Sequence, residues 1–69
     1  NGGLDGLDLI KKVIYKSNSL LKKNGLLAIE IGSNQCLKVA SLLRQYQFRE
    51  ISRQCDNNHN VRCIISTKV

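Results

Sequence analysis

The chain has 69 residues, of which 42% are hydrophobic, and a formal net charge of +6 from 11 lysines and arginines against five acidic residues. A chain of this length can form at most one small domain, because a single small core leaves little net stability. Its apolar runs fall short of the roughly 18 residues that a membrane span needs, and no basic segment leads into a signal-type apolar stretch. These features argue against a membrane-embedded or secreted protein.

The cysteines, the net charge and the methionine count bear on the cell compartment, on possible partners and on whether the chain is part of a longer protein. The three cysteines form no dense framework, which is more typical of reduced thiols in a cytoplasmic protein than of a disulfide scaffold. The positive charge is compatible with a polyanionic partner such as RNA. The sequence contains no methionine, so we expect it to be a piece of a longer protein.

The first predicted element is an amphipathic helix from about Gly6 to Lys23. Apolar residues recur every three or four positions, as such a helix requires: Leu7, Ile10, Val13, Ile14, Leu20 and Leu21. Asp5 is expected to cap this helix with Asp8 three residues later, and Gly25 to supply the left-handed residue that ends it. The lysines of the helix are expected to form a solvated face, without an aromatic side chain among them for base stacking.

A strand and a second helix are predicted next. Leu26 to Ile31 is apolar on both alternating faces except for Glu30, a pattern usual for strands buried on both faces of a parallel sheet. Ser33 or Asn34 is expected to cap the second helix. The residues predicted to line its buried face are Cys36, Val39, Ala40 and Leu43.

Two more strands complete the chain. They are predicted at Arg49 to Cys55 and at Val61 to Val69, and the short polar segment DNNHN between them predicts an antiparallel hairpin. The order helix, strand, helix, strand, strand is typical of an α/β fold with helices on both faces of a sheet. Because two helices cannot cover both faces of such a sheet, we expect the second half of a larger α/β domain.

Most of the residues that could carry chemistry have a simpler interpretation. The glycines of NGGLDGLD lack the spacing of a phosphate-binding loop, so a mobile loop that leads into a capped helix is predicted. Cys55, His59 and Cys63 match no zinc-binding spacing and are interpreted as structural cysteines and a surface histidine. No metal site is predicted.

Glu30 is harder to dismiss, because a carboxylate near the end of an apolar strand must be solvated, paired or part of a site. In open α/β sheets, ligands bind beyond the carboxyl ends of the strands, where Gly32 and Gln35 would also lie. A structural salt bridge or a solvent-facing edge remains open as an alternative.

Three segments of the chain together resemble the C-terminal part of the HemK-type glutamine methyltransferases that modify peptide chain release factors. They are NGGLDGLDLIKKV, LLKKNGLLAIEIGSNQ and LLRQYQFREISRQCDNN. In that family Gly-Gly-x-Asp-Gly precedes a long helix, and a strand ends in Glu-x-Gly with Gln three residues further on. The matching residues, taken as the candidate edge of a site, are Gly2, Gly3, Asp5, Gly6, Glu30, Gly32 and Gln35. Asn24-Gly25 stands where Gly-Gly is usual, and Gln47-Phe48 where Gly-Phe is usual.

The resemblance implies that residues 1–69 are the C-terminal half of a Rossmann-like methyltransferase domain whose sheet ends in an antiparallel hairpin. It implies S-adenosylmethionine as the methyl donor and the glutamine amide of a release factor's Gly-Gly-Gln motif as the acceptor. The family's cofactor loop, acidic ribose ligand and catalytic Asn-Pro-Pro-Tyr lie upstream of the matching segments, so no catalytic or cofactor-binding residue is expected in this chain.

For the same reason the isolated chain is expected to be inactive, and to associate with another copy or with the missing half. Some relatives are fused to an RNA guanine methyltransferase domain, so such a partner domain is a further expectation. Two alternatives stay open: a related methyltransferase that acts on RNA or on another protein, and a small basic nucleic-acid-binding module.

Overall fold

Two helices and three strands form in the order that the sequence predicts. The computed structural model describes residues 6–69. The elements are α1 (Leu7–Leu20), β1 (Leu26–Glu30), α2 (Cys36–Gln45), β2 (Phe48–Cys55) and β3 (Val61–Lys68). The α/β class is confirmed. Neither helix in this range has the length and apolarity that a membrane span needs.

The three strands form one sheet in which β3 lies between β1 and β2 and is antiparallel to both. The predicted hairpin of β2 and β3 is therefore confirmed. Since both outer strands oppose β3, β1 and β2 run in the same direction, and α2 connects them. The β1–β3 register is regular from Leu26↔Thr67 to Glu30↔Cys63, whereas the β2–β3 register shifts between Glu50 and Ser52 and again after Gln54.

The hydrophobic core lies between one face of the sheet and the two helices. Its buried residues come from all five elements and from the segment after β1: Ile14, Ile29, Ile31, Val39, Leu43, Phe48 and Ile64. Because side chains alternate along a strand, Leu26 and Ala28 face the opposite side from Ile29. The two described helices both pack on the Ile29 side, so that opposite face has no helix over it in residues 6–69.

Within this chain Leu26 to Ile31 is therefore covered on one face only, as expected where two helices cannot cover both faces of a sheet. Leu26 is 63% exposed, whereas Ile29 is 7% exposed. The strand also pairs antiparallel with β3 rather than in a parallel sheet. The hydrophobic pattern of β1 is typical of a strand buried on both faces, whereas the described helices cover only one of them.

α1 begins at Leu7, within one residue of its predicted start at Gly6. Asp5, the predicted cap, lies outside the described residues. Gly6 occupies the N-cap position with a left-handed φ of 76°. Asp8 lies in the first turn, where its negative charge favours the positive end of the helix.

The end of α1 comes at Leu20, earlier than the predicted Lys23. The left-handed residue is Asn24, with a φ of 71°, and not Gly25 as predicted. Gly25 is required for another reason, since a Cβ atom there would lie 2.9 Å from the carbonyl oxygen of Lys22.

Part of the predicted apolar face of α1 is exposed. Ile14 is fully buried, but Val13 is 43% exposed and Leu20 is 76% exposed. The neighbouring apolar residue Leu9 is 58% exposed. At 100° per residue these three side chains fall on one stripe beside the core-facing side of the helix. We call Leu9, Val13 and Leu20 the α1 stripe.

The prediction for α2 holds for its buried face and fails for its cap. Val39, Ala40 and Leu43 are buried as predicted, and Cys36 packs against the core while partly exposed. The N-cap residue is Gln35 rather than Ser33 or Asn34, and its side chain makes no capping hydrogen bond.

Candidate functional site

The carboxyl ends of β1 and β2 lie at the same end of the sheet, which is where open α/β sheets bind ligands. Both helices begin there too, because a Cβ atom at Gly6 of α1 would lie 3.5 Å from the side-chain nitrogen of Gln35, the N-cap of α2. The predicted site-edge residues Gly6, Glu30, Gly32 and Gln35 thus fall at one end of the molecule. Gly2, Gly3 and Asp5 lie outside the described residues.

Gln35 organises the turn between β1 and α2. The Gly32 N–H donates to the Gln35 side-chain Oε1 over 2.8 Å, and the Gln35 N–H donates to the Gly32 carbonyl over 3.1 Å. A Cβ atom at Gly32 would lie 3.4 Å from that Oε1. The glycine and the glutamine are therefore matched to each other, and the Gln35 side chain reaches from this turn to the start of α1.

Glu30 belongs to the same sequence motif, but its side chain lies on the other side of the sheet. It is exposed and pairs in register with Cys63. It lines a shallow cleft of 310 Å³ together with residues of the hairpin, namely Gln54, Cys55, Asp56, Arg62 and Cys63. The structure thus divides the Glu-x-Gly-x-x-Gln pattern into a turn, held by Gly32 and Gln35, and a carboxylate beside the hairpin.

Asp56 holds the hairpin turn that forms the other wall of this cleft. Its Oδ1 accepts from the backbone N–H groups of Asn58 at 2.8 Å and Asn60 at 3.0 Å, and its Oδ2 accepts from the Arg62 Nε at 2.8 Å. These hydrogen bonds, with Arg62 first, lower the pKa of the Asp56 carboxyl. Asp56 therefore stabilises the turn through these hydrogen bonds. Glu30, the other carboxylate of the cleft, takes no part in them.

The cysteines and the histidine of the described residues do not form a metal-binding group. Cys36, Cys55 and Cys63 are free thiols, and His59 is exposed in the hairpin turn with a left-handed φ of 64°. No group of three or more His, Cys, Asp or Glu side chains within residues 6–69 is arranged to hold a metal ion.

No buried side-chain nitrogen or oxygen in the described range lacks a hydrogen-bond partner.

Sequence reasoning overlooked an aromatic pair beside the lysines of α1. The expectation that no aromatic side chain lies among them is wrong, because Tyr15 falls between Lys12 and Lys16. Its ring meets that of Tyr46 edge to face, with centroids 5.8 Å apart. The segment KKVIYK carried the signal for Tyr15, but only the fold brings Tyr46 beside it.

Comparison with known proteins finds three relatives that are similar to this chain over most of its length. A release factor glutamine methyltransferase of Clostridium acetobutylicum is 33% identical over 67 residues, which is 97% of this chain. Proteins of the same name from Clostridium botulinum and Fusobacterium nucleatum are 36% identical over 50 residues and 38% identical over 64 residues. The resemblance to release factor glutamine methyltransferases is confirmed.

The chain spans 24% of the length of the first of these methyltransferases and 18% of each of the other two. No protein-family model matches the chain. No solved structure matches it either.

The resemblance to the methyltransferases also explains two turns. Asn24 and Gln47, at the positions where the family pattern carries glycine, both have left-handed φ angles, of 71° and 67°. Glycine adopts this conformation without strain, asparagine with little, and glutamine at a cost. At both turns the backbone conformation is therefore one that a glycine would adopt without strain.

Proposed function

We propose that this chain is the C-terminal part of the catalytic domain of an S-adenosylmethionine-dependent methyltransferase that methylates the glutamine side-chain amide in the Gly-Gly-Gln motif of peptide chain release factors. The observation that carries the proposal is the identity of 33% to 38% with three release factor glutamine methyltransferases over most of this chain. The matched span includes the motif of Glu30, Gly32 and Gln35 at the end of the sheet.

The free surfaces of the described residues support the view that this is part of a larger Rossmann-like domain. The outer edge of β1 is regular and apolar, and the face that carries Leu26 and Ala28 has no described helix over it. The exposed α1 stripe adds a third apolar surface. Further strands and helices of the same domain would cover all three, and in the isolated chain a second copy would substitute for them.

Within this proposal the described residues shape the site rather than react. Gln35 fixes the β1–α2 turn through both hydrogen bonds to Gly32 and so sets where the end of β1 lies. Glu30 presents a carboxylate at the same end. S-adenosylmethionine supplies the methyl group, and the transfer to a planar amide, a poor nucleophile, depends on positioning and on electrostatic stabilisation.

The test is methyl transfer by the longer protein that carries this chain. The enzyme is incubated with S-adenosylmethionine labelled in the methyl group and a purified release factor, and label is expected in the peptide that contains Gly-Gly-Gln. A release factor with alanine in place of that glutamine is the matched control and is expected to take up no label.

A Glu30→Gln variant of the same enzyme is expected to lose methylation while its thermal midpoint stays close to that of the wild type. Equal activity would remove Glu30 from the site. Label that appears in RNA and not in the release factor would contradict the proposed substrate and favour a related RNA methyltransferase.

A further inference from the structure

A cleft on the far side of α1 from the α1 stripe has a composition that the proposed function does not use. It has a volume of 380 Å³ and is lined by Asp8, Lys11, Lys12, Tyr15 and Tyr46. Tyr15 is 64% exposed. The backbone of Tyr46 is held by the Asn18 side chain, which donates to its carbonyl oxygen over 2.6 Å. The cleft therefore offers an accessible tyrosine ring in edge-to-face contact with a second one.

The charge around this cleft is positive. Lys11 and Lys12 line it, and Lys16 follows Lys12 by one turn on the exposed side of α1. Two acidic side chains elsewhere, Glu50 and Asp56, are paired with arginines of the hairpin and so do not neutralise these lysines. Asp8 is the one carboxylate among the lining residues.

We propose that this cleft binds a nucleotide unit of single-stranded RNA. The base stacks on the exposed face of Tyr15, and Lys11 and Lys12 hold the phosphates on either side of it. Stacking on an aromatic ring beside basic side chains is the general mode by which proteins hold single strands. An acidic peptide would satisfy the lysines but would leave the tyrosine ring unused.

Asp8 decides between RNA and DNA. A carboxylate beside a phosphate chain is repulsive unless it accepts a hydrogen bond from the ligand. The ribose 2′-hydroxyl is a donor that RNA has and DNA lacks, and it is the group by which proteins distinguish the two at a given site. The cleft is therefore matched to a ribonucleotide, with Asp8 accepting from the 2′-hydroxyl.

The test is fluorescence anisotropy of labelled oligouridine and oligodeoxyuridine with the full chain. Binding of oligouridine is expected to be the tighter of the two, and Tyr15→Leu is expected to weaken it about tenfold, as the loss of one stacked base does. Asp8→Ala is expected to abolish the preference for RNA. Circular dichroism shows whether each variant keeps its helices, which these exposed positions should allow.

A matched pair of double variants separates the cleft from general charge attraction. Lys11→Gln with Lys12→Gln is expected to reduce the slope of log affinity against log salt by about 1.4, the value for two phosphate contacts on a single strand. Lys22→Gln with Lys23→Gln removes the same charge outside the cleft and should leave the slope nearly unchanged. Equal losses in both pairs, no binding of oligouridine, or equally tight binding of a polyglutamate peptide would overturn the proposal.

Discussion

The two edges of the sheet are built in opposite ways. Along β2, the residues Arg49, Glu50 and Arg53 place charges at the edge, and the register with β3 shifts twice. Along β1, the register is regular over all five pairs, and the residues before Glu30 are apolar. Charges and bulges are the devices by which proteins keep an edge strand from pairing further.

The difference indicates that β2 is a finished edge, protected against further pairing, and that β1 is an unfinished edge, still able to pair with another strand. The helices show the same asymmetry, because α2 buries its apolar face on the β2 side whereas α1 leaves the α1 stripe exposed. The hydrophobic effect favours covering both β1 and the stripe, and under the proposed function the remainder of the domain would lie on that side.

The backbone pattern of β1 shows which groups the unfinished edge offers. The Ile31 N–H donates to the Arg62 carbonyl over 2.9 Å, and the Lys68 N–H donates to the Gly25 carbonyl over 2.9 Å. In an antiparallel ladder the bonded residues alternate. The N–H of Ala28, an odd number of residues from each of these positions, therefore points away from β3 toward the open edge.

The largest expected effect comes from truncating one apolar side chain in each outer strand. Phe48 begins β2 and is 2% exposed, so Phe48→Ala is expected to lower the free energy of unfolding by about 3–5 kcal/mol in the isolated chain and in its parent. Leu26→Ala in β1 is expected to cost less than about 0.5 kcal/mol in the isolated chain and about 2–5 kcal/mol in the parent. Urea denaturation measures both, and a Leu26→Ala effect that stays small in the parent would refute the unfinished edge.

The next effect concerns association through β1. Ala28→Pro removes the outward N–H without touching the ladder to β3. If two copies pair along β1, each loses one donor, and the loss of two hydrogen bonds of about 1 kcal/mol each weakens the dimer about thirtyfold.

Sedimentation equilibrium is the measurement for this association, with Ala28→Val as the control that keeps the N–H. A wild-type chain that is monomeric at all concentrations, or a proline variant that associates as tightly as the wild type, would contradict pairing through β1.

The third effect is a gain in stability at the turn that precedes β2. Gln47 precedes β2 and holds a left-handed φ of 67°, so Gln47→Gly is expected to raise the free energy of unfolding by about 1 kcal/mol. Asn24→Gly, on the β1 side, is the control and should gain less, because asparagine tolerates this conformation. Equal gains at the two turns would show that strain at Gln47 is not the cause.

The element order and the hairpin were predictable because each rests on local pattern. The spacing of Val39, Ala40 and Leu43 predicts the buried face of α2, and DNNHN predicts the turn between β2 and β3. An open apolar face on β1 was predictable as well, because its pattern describes a strand covered on both faces and two helices can cover one; that the open face is the one with Leu26 was not.

The candidate site was predictable in its location and less so in its details. Sequence reasoning placed Glu30, Gly32 and Gln35 at the carboxyl end of β1, and the structure places them there. It did not show that Gln35 builds the turn, since that depends on a side chain folding back onto Gly32. It also missed the contact of Tyr15 with Tyr46, two residues on different elements that no local pattern connects.

The smallest effect is a pH dependence confined to the charged side of the molecule. The hydrogen bond from Arg53 lowers the pKa of Glu50 below its ordinary value of 4.5, as that from Arg62 lowers the pKa of Asp56 below 3.8. A carboxyl with a lowered pKa stabilises the folded state above its unfolded pKa, and the contribution disappears as the pH falls through the folded pKa. The thermal midpoint of the chain is therefore expected to be constant from neutral pH down to about 5 and to fall below it. Because both pairs are at the surface, added salt should reduce this fall.

An Arg62→Gln variant removes the main cause of the shift at Asp56 and should lose less stability on acidification than the wild type. If the two proteins fall in parallel, the hairpin turn does not depend on the charge of Asp56, and its hydrogen bonds to Asn58 and Asn60 hold it without the ion pair.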